Sequence, residues 1–289
     1  MKKNVTWSSK KSGLLKAVSD YSKTSVLLCL FWLLASGCTY HPWTAPIEDE
    51  HNQKATQLLM ALDQKSSFCE QPIDGDISIF YKNLFNKELI SGYFQLYYPS
   101  SLKFIVTNPF GQTLLAFAVT ERRFQLINTF ERRYIKGNTY SYGMLHNIPS
   151  ILTQGTWNEW LRGTVHLPEG DIIDLRNDAK KRGVWITIRR KKSDHTAAKG
   201  LTHLLVDPEK TLLLSRILEN ARGKVVGEIR YGNWKTVSGC AQPYTIRVSG
   251  LDYSTEIDLK LSNIAVADDL TEKDFHLKAP AGYVRQIIP

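Results

Sequence analysis

A period-two alternation of apolar and polar residues runs through most of the chain between residues 90 and 262. It is clearest near its end, where Ile257, Leu259 and Leu261 alternate with charged residues. Because successive side chains of a β-strand point to opposite faces, this pattern predicts strands with one buried side. Proline or glycine separates most segments, which predicts short turns. We therefore expect a mainly β (α+β) protein with a large antiparallel sheet of about 11 or 12 strands, as a meander, sandwich or barrel.

Two segments depart from the alternation and predict helices. In residues 47–65, apolar residues recur at the spacing of one helix face. These residues are Ala55, Leu58, Leu59 and Leu62. Residues 142–163 hold scattered aliphatic residues with Trp157 and Trp160, and predict one or two short helices. These helices either cap the sheet as a crossover or form a lid over a hollow face.

A third segment, residues 176–199, is unusually rich in lysine and arginine. We expect it to form a protruding hairpin. Either the hairpin is simply solvated, or its charges contact anionic lipid headgroups.

The first 37 residues have the layout of a bacterial secretion signal. Six lysines precede an apolar run at residues 26–35, and the small residues Ser36 and Gly37 precede Cys38. The run is shorter than the roughly 20 residues that a transmembrane helix needs. The five residues that end at Cys38 resemble a bacterial lipobox, which implies cleavage after Gly37 and acylation of Cys38. An ordinary secretory signal and an uncleaved signal anchor are the alternatives.

These features divide the chain into a signal peptide (1–37), a short tether (38–46) and a single domain (47–289). The signal holds more than half of the formal net charge of +9, so the charge does not indicate nucleic acid binding. Thr39 follows Cys38 where enteric inner-membrane lipoproteins carry aspartate. By that analogy we expect a lipid-anchored protein on the periplasmic face of the outer membrane of a Gram-negative bacterium.

Two of the four cysteines remain once Cys29 leaves with the signal and Cys38 carries lipid. Cys69 and Cys240 would then lie in an oxidising compartment, where a disulfide is the expected state. Two buried thiols are the alternative.

Catalytic motifs are missing from the sequence. It contains no G-x-S-x-G, H-E-x-x-H, P-loop or G-x-G-x-x-G pattern, and its seven histidines are scattered. Asp74 and Asp76 flank a glycine, which predicts a turn into a strand and not a metal site. We expect no catalytic residues, no metal and no cofactor.

One turn has an unusual composition for a soluble protein. Residues 104–115 read FIVTNPFGQTLL, so Asn108, Pro109, Phe110 and Gly111 form a tight turn between two apolar strands. A phenylalanine stands at its tip, where a polar residue is usual. The turn resembles the T-N-P-aliphatic-G turn of the outer-membrane lipoprotein receptors of the LolB family, in the LolA/LolB superfamily.

Three further stretches carry the same resemblance. Residues 157–168 (WNEWLRGTVHLP) resemble the family's tryptophan-containing helix, and residues 229–248 resemble its late hairpin. Residues 275–282 resemble the tail of the soluble LolA carriers. The resemblance spans roughly residues 50–284. The chain departs from the family in its length, its basic segment and its two extra cysteines.

The resemblance implies an open, incomplete antiparallel β-barrel with an apolar interior and a helical lid that contains Trp157 and Trp160. Members of the family pass acylated proteins from a periplasmic LolA-like carrier to the outer membrane without nucleotide or metal. It therefore implies lipoprotein clients, a LolA-like carrier and membrane lipid as partners of a monomeric protein.

Alternation on adjacent strands selects the residues that would line the interior and hold acyl chains. They are Phe94, Leu96, Phe104, Val106, Leu115 and Phe117. The alternative is that these side chains form a packed sandwich core. Phe110 would insert into the membrane or, alternatively, pack against its own lid. A scaffolding lipoprotein, or a related binder of lipid or glycolipid, remains the alternative function.

Overall fold

The computed structural model describes residues 42–47, 51–108, 110–121, 123–145, 157–166, 170–190, 200–251 and 254–289. The predicted signal peptide, its cleavage site at Gly37 and the acylation site Cys38 lie outside these residues, as does Pro109. Within the described ranges, none of the helices has the length and apolar character needed to cross a membrane. Trp43–Pro289 form one compact unit.

Fifteen strands among the described residues form a single sheet. They are β1 (Trp43–Pro46), β2 (Ile73–Lys82), β3 (Lys87–Tyr97), β4 (Ser101–Thr107), β5 (Thr113–Thr120), β6 (Arg123–Asn128), β7 (Arg133–Asn138), β8 (Gly170–Asp178), β9 (Val184–Arg190), β10 (Leu201–Asp207), β11 (Leu212–Glu219), β12 (Val225–Val237), β13 (Cys240–Ser249), β14 (Glu256–Val266) and β15 (Val284–Ile288). Their order is β1-β8-β9-β10-β11-β12-β13-β14-β2-β3-β4-β5-β6-β7-β15. Neighbours are antiparallel except β15 and β7, which are parallel. The sheet is open because β1 and β15 are its two edges.

The open, mainly β architecture agrees with the expectation, but the count of about 11 strands is wrong. The alternation pattern did not predict five of the strands, which are β1, β2, β7, β8 and β15. Gly75 interrupts the apolar series of β2, and a register shift between Ile172 and Asp174 interrupts that of β8. The edge strand β1 takes up the last four residues of the predicted tether (38–46), because Trp43 packs against Trp185 with ring centroids 5.4 Å apart.

Three helices and a short 3₁₀ turn complete the described structure. They are α1 (His51–Ser67), α2 (Thr139–Leu145), α3 (Trp157–Arg162) and the 3₁₀ turn Glu272–Phe275. The apolar face predicted for the first helix is confirmed: Ala55, Leu59 and Leu62 are buried in the core. Their burial removes apolar surface from water and holds α1 against the sheet.

The main core lies between one face of the sheet and helices α1 and α3. A second, smaller cluster lies on the opposite face and contains Trp185, Leu205 and Ile217, with Trp43 packed against it. Strands β9 and β10 are therefore buried on both faces, which explains their nearly continuous apolar sequence.

The charged segment at residues 176–199 does not protrude as expected over the part that the structure describes. Its turn carries exposed Lys180, Lys181 and Arg182, whereas β9 pairs with both β8 and β10 inside the sheet. Asp178 organises the turn, accepting hydrogen bonds from Arg182 Nη2 (2.8 Å) and Trp185 Nε1 (3.0 Å). Residues 191–199 lie outside the described chain.

Asp178 makes the stability of this turn depend on pH. Burial alone would raise the pKa of its carboxyl, but the hydrogen bonds from Arg182 and Trp185 outweigh burial and lower the pKa to about 2. Since the unfolded value is about 3.9, the carboxylate stabilises the fold above pH 4 and this contribution is lost as pH falls towards 2.

We expect Asp178→Asn to lower the free energy of unfolding by about 2 kcal/mol at pH 7 and by much less near pH 2. Urea unfolding of the variant and the wild type at both pH values measures the difference. Asp171→Asn, an exposed acid on β8, serves as the control. A penalty for Asp178→Asn that stays constant with pH would show that its charge does not matter.

A disulfide joins Cys69, just after α1, to Cys240, the first residue of β13. Their Cα atoms are 5.6 Å apart. The bond fastens the end of α1 to the β12–β13 hairpin.

Candidate functional site

The six residues that the sequence assigned to an acyl-binding cavity lie on one face of three adjacent strands, β3, β4 and β5. We call this set the apolar face: Phe94, Leu96, Phe104, Val106, Leu115 and Phe117. In the strand register, Phe104 lies opposite Phe94 on one side and Phe117 on the other. Because residues two apart share a face of a strand, the six form one continuous apolar surface.

Access to the apolar face increases along the strands towards the β4–β5 hairpin. Phe94 and Leu96 have no exposed surface, whereas Phe104, Val106 and Leu115 are half-buried. Val106 and Leu115 lie opposite each other near the turn. The face is thus closed at one end and partly accessible at the other, and a ligand could reach Phe94 only if covering side chains move.

Gly75 allows the closed end to pack tightly. A Cβ at this position would lie 3.1 Å from Phe94 Cε1 and 2.8 Å from the backbone oxygen of Ser262. The ring of Phe94 therefore rests against the backbone of β2. The glycine that weakened the strand prediction is the residue that admits this aromatic ring.

The Asp74-Gly75-Asp76 sequence lies within β2 and not in a turn as expected. Asp74 accepts a hydrogen bond from the Tyr93 hydroxyl, and Asp76 accepts one from Asn263 Nδ2 at 2.6 Å. Burial and the bond to Asp74 raise the pKa of Tyr93 to about 12. Over the described residues, no three histidine, cysteine or acidic side chains are grouped as metal ligands.

Helix α2 covers one flank of the apolar face. Asn138 caps its start, accepting a hydrogen bond from Tyr140 N at 2.9 Å. The ring of Tyr142 packs on Phe124 with centroids 4.5 Å apart, and Phe124 in turn stacks against Phe117. Met144 is exposed at the end of the helix. Tyr142 therefore connects α2, through Phe124, to Phe117 of the apolar face.

Helix α3, expected to be the lid, is bound firmly to the rest of the domain. Trp160 is buried in the core; the side chain of Trp157 lies outside the described structure. Gln242 Nε2 donates to the Leu161 carbonyl at 3.0 Å, and Arg216 Nη1 lies 3.3 Å from Glu159 Oε2. These bonds attach α3 to β13 and β11.

Arg162 attaches the C-terminal end of α3 to the segment that follows α1. Arg162, which is 4% exposed, donates from Nη1 to the Cys69 carbonyl at 2.8 Å and from Nη2 to the Gln71 carbonyl. Burial lowers the pKa of Arg162 to about 10, so the side chain remains charged at neutral pH. Gly163 follows with φ +62° directly against Trp234. An opening of the apolar face by movement of α3 would therefore have to break these buried bonds.

The turn between β4 and β5 presents Phe110 to solvent. Asn108 Oδ1 accepts hydrogen bonds from Phe110 N (3.0 Å) and Gln112 N (2.9 Å), and Gly111 adopts φ +79°. Phe110 is 89% exposed. With this exposure, it is not packed against a lid formed by the residues that the structure describes.

Sequence reasoning missed two phenylalanines that resemble Phe110 in exposure. Phe85 and Phe130 occupy the β2–β3 and β6–β7 turns and are 78% and 93% exposed. The detectable signal was a shared pattern: each phenylalanine follows an asparagine by two residues, at Asn83, Asn108 and Asn128.

Among known proteins, solved structures of low sequence identity share the fold of this chain. No family model matches the chain. No curated protein matches it either. A LolA superfamily protein from Nitrosomonas europaea superposes with a TM-score of 0.54 at 15% identity, covering 77% of this chain and 97% of that one. The chain has a LolA-like fold.

Two further solved structures share this architecture. A DUF1329 family protein from Desulfovibrio piger has a TM-score of 0.55 at 12% identity, over 81% of this chain and 98% of that one. A domain assigned to outer membrane lipoprotein sorting, from Vibrio parahaemolyticus, has a TM-score of 0.51 at 12% identity, over 77% and 94%. These likenesses support the superfamily fold that the sequence indicated and do not single out LolB.

Proposed function

We propose that this protein is an envelope lipoprotein that holds acyl chains on its apolar face and passes an acylated lipoprotein to the outer membrane. The observation that carries the proposal is the apolar face itself, with six aliphatic and aromatic side chains in register and access at one end only. Such a surface offers burial to hydrocarbon and no polar group to bind a headgroup.

The finer parts of the proposal rest on the sequence. Acylation of Cys38 would hold the protein at the outer membrane, and a periplasmic LolA-like carrier would deliver the client. The LolA-like fold supports this role because one of the similar structures is a domain assigned to lipoprotein sorting. Neither nucleotide nor metal has a place in the proposed transfer, and we propose no enzymatic reaction.

Transfer on such a face needs no chemical energy if each acyl chain moves between surfaces of similar polarity. Burial contributes about 0.8 kcal/mol per CH₂ group, so a chain leaves one apolar surface only when another is within reach. Half-buried Phe104 and Val106 would receive the chain first, and the closed end near Phe94 would admit it as Tyr142 moves.

A photo-crosslinking amino acid at Phe104 or Phe117 in the full-length protein should capture acylated lipoproteins in intact cells. Lys103 is the matched control because it precedes Phe104 on β4 and projects from the other face of the strand. Mass spectrometry identifies the adduct, so captured phospholipid or glycolipid would point to a lipid carrier instead. Equal or absent capture at Phe104 and Lys103 would exclude the proposed function.

A further inference from the structure

Three neighbouring hairpins turn at the same end of the sheet, and each presents an exposed phenylalanine. The hairpins are β2–β3, β4–β5 and β6–β7, which are adjacent in the strand order. Their phenylalanines are Phe85, Phe110 and Phe130, between 78% and 93% exposed. We call these three residues the phenylalanine edge.

An asparagine side chain caps each turn, and the backbone N–H that it binds differs between the turns. An asparagine two residues earlier caps the turn with its side-chain oxygen: Asn83 Oδ1 accepts from Phe85 N at 2.8 Å, and Asn128 Oδ1 accepts from Glu131 N at 3.1 Å. Asn108 does the same for Phe110 N. These bonds satisfy backbone N–H groups within the turn, which lowers the cost of moving the tip into an apolar medium.

The three tips lie close to one straight line. The β6–β7 hairpin ends at the Asn128–Arg133 pair, which aligns through β5 and β4 with Gly92 of β3. The β4–β5 hairpin reaches one to two residues beyond this row, at the Thr107–Thr113 pair and the Asn108 N bond to the Gln112 carbonyl. The β2–β3 hairpin ends at Lys87, five residues beyond Gly92. The ends of the two outer hairpins are therefore about 17 Å apart along the strands and about 19 Å apart across them. The line that joins them slopes by about 40° to the direction across the strands. The three tips therefore lie along one line across this end of the sheet.

The residues around the tips suit an anionic bilayer surface. Leu84 and Leu89 add exposed apolar area beside Phe85. Exposed basic residues outnumber acidic ones beside the β2–β3 and β6–β7 turns. They are Lys82, Lys87, Arg132 and Arg133, against Glu88, Glu131 and Glu256, which lies opposite Lys82 on β14. Aromatic tips with a basic rim combine burial among acyl chains with attraction to anionic headgroups.

We propose that the phenylalanine edge binds the surface of a lipid bilayer that contains anionic headgroups, with all three rings among the acyl chains. The proposal does not depend on the client of the apolar face, although that face opens towards the same end of the sheet. It goes beyond a single inserted residue, because Phe85 and Phe130 share the exposure and turn structure of Phe110.

The geometry also places this contact far from the start of the domain. β1 begins opposite Asp178, next to the β8–β9 turn at the other end of the sheet. Three tips on a line leave the domain free to tilt about that line. A lipid anchor joined to β1 would therefore act as a separate attachment that limits the tilt.

Photo-crosslinkers at Phe85, Phe110 and Phe130 of the full-length protein in its native membrane test the proposal. All three should capture phospholipid about tenfold more than Lys180 and Glu209, exposed residues in turns at the opposite end. Anionic phospholipids should be over-represented among the adducts. Phospholipid capture no higher than at the two control positions, or capture of a protein in place of phospholipid, would overturn the proposal.

A variant with serine at all three tips separates this proposal from the proposed function. Because the rings are exposed, the variant should retain its melting temperature. In this variant, a crosslinker at Phe104 should still capture client. A crosslinker at Leu84 should capture about tenfold less phospholipid than it does in the wild type. Undiminished phospholipid capture at Leu84 would show that the rings do not hold the edge on the bilayer.

Discussion

Replacing Cys69 and Cys240 together by serine should lower the free energy of unfolding by about 4–5 kcal/mol. The disulfide spans 171 residues of sequence, and a loop of this length restricts the unfolded chain strongly. That loss is a large fraction of the 5–15 kcal/mol that stabilises a typical domain. The variant should therefore be partly unfolded under conditions in which the wild type is fully folded.

Urea unfolding of the serine variant and of the oxidised wild type measures this effect, and the wild type kept reduced is compared with the serine variant as a control. Both proteins lack the cross-link, so they should unfold at the same urea concentration. If the serine variant were as stable as the oxidised wild type, the bond would contribute nothing to the fold.

Replacing Arg162 by methionine should cost about 3 kcal/mol of stability. Arg162 donates to the carbonyls of Cys69 and Gln71 in a buried position, and methionine would leave both acceptors without these bonds. Each buried acceptor that loses its partner costs about 1–3 kcal/mol. The gain from no longer burying a charge offsets part of this cost, since burial already lowers the pKa of Arg162 to about 10.

The disulfide and Arg162 stabilise the same segment around Cys69, so the stability losses from the two changes should not be additive. Arg162 binds the carbonyl of Cys69, whose side chain forms the disulfide. In the serine background this segment is less restricted, so Arg162→Met should cost less there than in the wild type. A full double-mutant cycle by urea unfolding gives the coupling energy, and strict additivity would mean that Arg162 stabilises α3 independently of the disulfide.

The attachment of α3 bears on how the apolar face could open. The disulfide, Arg162 and the Glu159–Arg216 pair hold α3 against α1, β11 and β13. On α2, the ring of Tyr142 packs on Phe124. Movement of α3 would have to break charged hydrogen bonds in a buried site, so α3 is costly to displace.

Much of the fold was readable from local sequence because local rules govern it. Alternation assigned the central strands and the six residues of the apolar face, since a two-residue period places side chains on one side whatever the partner strand. The helical spacing of Ala55, Leu59 and Leu62 likewise identified the buried side of α1. Phe110 was visible because an aromatic residue in a tight polar turn is unusual.

The remaining features depend on pairing between distant residues. Edge strands β1 and β15 contain too few residues to show a period, and their partners lie more than 100 residues away. The Asp74-Gly75-Asp76 sequence reads locally as a turn, but Phe94 needs the space above Gly75 and the carboxylates bond to Tyr93 and Asn263. Trp160 reads as part of a lid, but it is buried in the core.

The strand faces, the first helix, the exposed turn at Phe110 and the two cysteines available for a disulfide follow from the amino-acid sequence. The order of the strands, and with it the position of Phe85, Phe110 and Phe130 at one end of the sheet, follows only from the fold. Side-chain direction is set by backbone geometry within a few residues. Strand order and register follow from packing among residues distant in sequence.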